Sequence, residues 1–129
     1  MTDNSMRTPI GRVRGLGSAK SGLHHWWMQR VTAVALIPLT LWFVASLISL
    51  AGAGYAETVA WLGSPGVAVL MIALIIATFY HAALGLQVVI EDYVHHEGVK
   101  LVTLLGVKLL ASLLAIAALF AVLKLAFGG

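Results

Sequence analysis

The sequence predicts an all-α integral membrane protein with three transmembrane helices, the N-terminus cytoplasmic and the C-terminus outside. Composition is the first ground for this: 60% of the residues are hydrophobic and only 10% are charged, whereas a soluble chain carries roughly a quarter charged residues. The second is that the apolar residues gather in long runs parted by short polar or glycine-containing stretches. The third is that most basic residues stand ahead of the first run, where positive charge fixes which side of a membrane a segment keeps. The formal charge of +3 therefore reports topology rather than nucleic-acid binding. No cysteine is present, so the chain offers no disulfide, no iron–sulfur ligand and no thiol nucleophile.

Its 129 residues make one domain, divided into a cytoplasmic N-terminal segment, 1–30, and a membrane anchor, 31–129. Span one is the charge-free run 31–50, long enough at about 1.5 Å per residue to cross a hydrocarbon core of about 30 Å. Gly52, Gly54, Glu57 and Gly63 break the run. Pro65 then stands where a first helical turn tolerates a missing N–H, and span two covers 65–90. Glu91, Asp92, His95, His96, Glu97 and Gly98 make a polar loop before span three, 101–127. Lys108 and Lys124 are expected to snorkel and mark the two interfaces of that last span. Arg7, Arg12, Arg14, Lys20 and Arg30 precede span one, and the loop 51–64 has no lysine or arginine, which puts the N-terminus and the His95–His96 loop in the cytoplasm. Trp26, Trp27, Trp61 and Tyr93 fall near boundaries, where amphipathic rings prefer to sit.

A cleaved signal peptide is the competing account of the N-terminal half, because Ala51-Gly52-Ala53 resembles a cleavage site. The apolar run is longer than a usual signal core and its polar leader is about thirty residues, so an uncleaved anchor fits better. The arginine-rich start also passes as an organelle transit sequence.

Inside the membrane, His81 is the ionisable side chain between 31 and 90, the Tyr80 phenol apart, that needs a reason to be there. Ala77 lies four residues back, Thr78 three back and Gly85 four on, so the histidine sits on a stripe of small residues. Two readings are open. One is tight helix packing with the imidazole hydrogen-bonded to a neighbouring helix. The other is haem ligation, with room for the macrocycle beside the small residues and the second histidine supplied by another subunit. Asp92 is eleven residues beyond His81, back on nearly the same helix face about 16 Å nearer the cytoplasm, and Tyr93 is turned about a third of a turn away. An acid and a phenol there can serve a polar ligand at the interface, or be a solvated helix end and an aromatic-belt residue. Arg30 has the same two sides: a partner for an anionic group such as a haem propionate, or a positive-inside anchor. His24, His25, His95 and His96 form adjacent pairs without the spacing of a helical metal site and read as interface residues.

The stretch His24-His25-Trp26-Trp27-Met28-Gln29-Arg30-Val31-Thr32-Ala33, with His81-Ala82-Ala83-Leu84-Gly85 and Asp92-Tyr93, resembles the hydrophobic membrane anchor of succinate dehydrogenases. The similarity runs over essentially the whole chain in layout, length and spacing. The resemblance implies a four-subunit complex: a flavoprotein that oxidises succinate, an iron–sulfur protein, a companion anchor of cytochrome b type, and this chain. It further implies His81 as one axial ligand of haem b, with Arg30 near the haem propionates or the quinone pocket. Tyr93 is then a hydrogen-bond donor to ubiquinone with Asp92 beside it, no catalytic residue lies on this chain, and the setting is a bacterial cytoplasmic membrane or, second, a mitochondrial inner membrane. The segment 1–23 is expected against the iron–sulfur protein or the cytoplasmic face. A structural anchor or assembly protein without a redox role, and a fumarate reductase anchor, are the alternatives.

Overall fold

The computed structural model describes residues 8–10 and 20–128. Arg7, Arg12 and Arg14, on which part of the orientation argument rests, lie outside the described residues, as does most of the segment 1–23. From Lys20 onward the chain forms four α-helices, α1 (Lys20–Ser49), α2 (Tyr55–Leu62), α3 (Pro65–Tyr93) and α4 (Glu97–Ala126), with no strand among the described residues. Three of them are long and apolar enough to cross a membrane, with described spans of 28, 29 and 30 residues. At about 1.5 Å per residue each is roughly 42–45 Å long, which exceeds a hydrocarbon core of about 30 Å and leaves turns projecting into the headgroups.

Two of the helices, α1 and α4, start earlier than the apolar runs do. α1 takes in the polar stretch from Lys20 to Arg30, and α4 begins at Glu97 rather than 101. Hydropathy marks where lipid begins, while a helix continues until its hydrogen bonding is interrupted, so the two boundaries differ. At α4 the start is set by His96, whose Nδ1 accepts from the Val99 N–H at 3.3 Å. The break after span one is itself partly helical. Gly52, with φ of +88°, turns the chain. The Gly54 N–H then donates to Glu57 Oε2 at 3.2 Å, so the acid closes the first turn of α2. Pro65 opens α3 at a position where its missing N–H costs nothing. Pro38 lies inside α1 without ending it.

α3 is the middle of a row. It packs against α1 on one side and α4 on the other, while the backbones of α1 and α4 stay apart. Contacts pair Thr32 with His81 and Gln29 with Gly85, so α1 and α3 run antiparallel. A three-residue link turns α3 back into α4. The start of α1, the Tyr93 end of α3 and the start of α4 therefore share one side of the row. On the other side, Trp42 of α1 stacks on Trp61 of α2 at 5.9 Å between centroids. Gly63 brings the α2–α3 corner so close to α4 that an added Cβ would stand 3.0 Å from the Leu125 carbonyl oxygen.

Such a row has almost no core. Among the described residues only Thr32, Ala68, Ala77, Ile90 and Val122 are buried, and large apolar side chains are exposed along α1, α3 and α4. A water-soluble chain this exposed would aggregate; lipid and partner helices are the solvent this surface fits. Lys124 lies in the last turn of α4, as expected of an interface lysine. Lys108 is eleven residues past Glu97, about 16 Å along the helix, and is exposed on the groove between α3 and α4.

Candidate functional site

The site is built on the contact between α1 and α3. Ala77 and Gly85 flank His81 on α3, and Ala77 is buried against its neighbours. Gly85 is faced by the Gln29 side chain, 3.7 Å from where a Cβ would stand, so this end of the small-residue stripe serves the approach of α1. One turn further along, Thr32 is 7% exposed and its Oγ1 lies 3.0 Å from His81 Nδ1. The same hydroxyl donates into its own helix, to the Met28 carbonyl at 2.7 Å, with the Gln29 carbonyl at 3.1 Å. Bonding back to the preceding turn is how a hydroxyl is tolerated inside an apolar helix. His81 Nε2 makes no hydrogen bond among the described residues.

Beside His81 a hollow of about 330 Å³ opens between the helices, lined by His25, Trp26, Gln29, Arg30 and Val88 as well as His81 itself. Two polar atoms of these lining residues, His25 Nε2 and Gln29 Oε1, are buried without a hydrogen-bond partner among the described residues. An unpaired buried polar group costs about 1–3 kcal/mol, so the hollow is suited to a hydrogen-bonding group that the described residues do not supply. Arg30 is held at its edge, its Cζ 5.4 Å from the centroid of the Trp26 ring. That cation–π contact leaves the guanidinium edge free to pair with an anion.

The structure thus brings together two of the four residues singled out in the sequence, His81 and Arg30, in one hollow. Asp92 and Tyr93 are elsewhere. Both are in the last turn of α3, exposed, and about 16–18 Å along the helix from His81. Tyr93 is 78% exposed, so its ring has little of this chain around it. Three further residues join the site: His25, which the sequence marks only as an interface residue, and Gln29 and Thr32, to which it gives no role. Their i, i+4, i+7 spacing is the signal, because it sets three polar side chains on one face of a helix otherwise turned to lipid.

A second groove, of about 410 Å³, lies where α3 meets α4, with Tyr80, Gln87, Lys108 and Ser112 as its polar residues among apolar walls. Gln87 also donates to Glu91 at 2.8 Å. No cluster of three or more metal-ligating side chains occurs among the described residues.

Comparison with known proteins adds a family. Residues 4–123 match the family model described as succinate dehydrogenase/fumarate reductase transmembrane subunit. The chain is 34% identical over 116 residues to a succinate dehydrogenase hydrophobic membrane anchor subunit of Rickettsia bellii, covering 90% of this chain and 93% of that one. It is 34% identical over 86 residues to the protein of that name from Paracoccus denitrificans, covering 67% of each. A succinate dehydrogenase membrane anchor subunit from Reclinomonas americana is 29% identical over 97 residues, 71% of this chain and 79% of that one. No solved structure matches the chain.

Proposed function

Because this chain belongs to the succinate dehydrogenase/fumarate reductase transmembrane subunit family, we propose that it anchors a succinate:quinone oxidoreductase in a bacterial cytoplasmic membrane, supplies one ligand of haem b and forms part of the ubiquinone site. The observation that carries the haem half is the hollow where His81, with Nε2 unengaged, and Arg30 stand together beside two buried polar atoms that lack partners. An imidazole nitrogen for iron and a guanidinium for a propionate are the donor set that haem b needs from one anchor, and the companion anchor supplies the second histidine. When bound, the haem supplies a one-electron store inside the membrane.

The residues of this chain divide the work. His81 holds the iron from α3. Arg30, kept in place by Trp26, neutralises a carboxylate at the membrane face. Tyr93, exposed at the end of α3, offers its O–H to a quinone carbonyl that gains negative charge on reduction. Asp92, next to it, is placed to hold a proton at that face. Electrons reach this face from the iron–sulfur protein, and succinate reacts on the flavoprotein, away from this chain. The start of α1, with Arg30, and the Tyr93 end of α3 share one side of the row, and the connection 51–64 on the other side, which contains α2, has no basic residue. The positive-inside rule makes the Tyr93 side cytoplasmic.

The test is purification through a tag on this chain. The flavoprotein, the iron–sulfur protein and a second anchor should come with it, with succinate–quinone reductase activity and a b-type α band that appears on reduction. An active complex with no such band would leave a purely structural anchor. A chain that brings no redox partners would overturn the anchor assignment.

A further inference from the structure

We propose that Thr32 is a positioning residue that fixes the tautomer and ring orientation of His81, so that Nε2 is the nitrogen offered to iron; this rests on the haem reading above. Counting protons leads there. A threonine hydroxyl has one hydrogen to give and two lone pairs to receive with. Oγ1 of Thr32 lies 2.7 Å from the Met28 carbonyl oxygen. Two oxygens hold that separation only with a proton between them. The single hydrogen is therefore committed to the helix of Thr32, shared at most with the Gln29 carbonyl at 3.1 Å.

What remains on Oγ1 is a lone pair. The 3.0 Å contact with His81 Nδ1 is then a bond in which the imidazole donates. Nδ1 carries the ring proton, and Nε2 is left with the lone pair that coordination requires. The reverse tautomer would put hydrogens on neither atom of the Thr32–His81 contact and a hydrogen on Nε2, blocking the metal. At 7% exposure Thr32 admits no competing water to the bond. The two readings of His81 taken from sequence are thus compatible: packing against α1 uses one ring nitrogen and ligation the other. A ligating histidine that donates from its second nitrogen is also more basic toward the metal and rotationally fixed.

The experiment uses the whole complex with Thr32→Val, which replaces the hydroxyl by a methyl of similar shape, and Thr32→Ser, which keeps it. The readouts are the haem midpoint potential and the low-temperature EPR signal of the oxidised haem. Loss of the acceptor makes His81 a weaker donor to the oxidised iron, so Thr32→Val should raise the potential and broaden or shift the low-spin signal. Thr32→Ser should restore both. Haem retained with potential and signal unchanged in Thr32→Val overturns the inference. Should Thr32→Val fail to assemble, Thr32→Ala removes the hydroxyl without adding bulk, and the same shift is expected. If neither assembles while His81→Leu does, Thr32 holds the helices together and its role toward the ligand is refuted. A wild-type complex without a b-type band, or an unaltered band in His81→Leu, refutes the haem reading itself and is told apart by being independent of residue 32.

Discussion

His81 meets Thr32 through Nδ1 and has no hydrogen bond on its other ring nitrogen among the described residues, and that division is what would let a packed histidine serve as a ligand. Tyr93 is the opposite kind of residue, almost bare on this chain and at a helix end, so its value depends on what is brought to it. Phenylalanine keeps its ring and removes only the donor. Tyr93→Phe should therefore lower quinone reduction about tenfold or more, the equivalent of a hydrogen bond of about 1–3 kcal/mol, while electron transfer from succinate to a soluble dye accepting ahead of the membrane stays near normal. A parallel fall in both activities would mark Tyr93 as an assembly residue, and no fall in either as a belt residue. At this scale the sequence was legible where charge and depth conflict. His81 stands out because an ionisable group deep in an apolar run has to be explained. His25, Gln29 and Thr32 do not stand out, because they sit among tryptophans and arginine that already account for an interface. Which face of α1 they occupy becomes meaningful only once α3 is docked against it.

The helices were legible as apolar runs, with the start of α3 and the ends of α1 and α4 read to within a residue, but the polar starts of α1 and α4 were not legible. The stretch from Lys20 to Arg30 is too polar to read as a span, yet it is the first three turns of α1 and carries half of the hollow. With α4 starting at Glu97, Lys108 lies farther from the helix end than a start at 101 implies. Close approach between elements is concentrated at Gly63, where the α2–α3 corner meets the backbone of α4. A methyl there would meet the Leu125 carbonyl at 3.0 Å and the Val59 carbonyl at 3.2 Å, neither of which is a flexible side-chain end. Gly63→Ala should cost about 1–3 kcal/mol, as overpacking does, seen as a lower midpoint in thermal unfolding of the purified complex. Gly66→Ala, at a position with nothing within 4 Å, is the matched control and should leave that midpoint unchanged or slightly raised. Equal behaviour of the two variants would show that the corner is not packed as described.

Taken whole, the chain is three long helices in a row with five described residues buried, a shape that makes sense only when lipid and partner helices cover it. The proposed orientation rests on basic residues on one side of that row and their absence from the other. In intact cells or right-side-out vesicles, Glu57→Cys, exposed in α2, should react with an impermeant thiol reagent and His95→Cys, exposed between α3 and α4, should not. The reverse pattern would invert the anchor and move Tyr93 to the wrong face for electrons arriving from the cytoplasm. The central claim is that His81 carries one bond to a haem in this assembly, and the reduced-minus-oxidised absorption spectrum of the purified His81→Leu complex tests it most directly. Leucine adds apolar surface where the histidine was, so the complex is expected to assemble. The expected result is a b-type band lost or strongly altered beside retained succinate oxidation by the soluble-facing partners; an unchanged haem spectrum in that variant would contradict it.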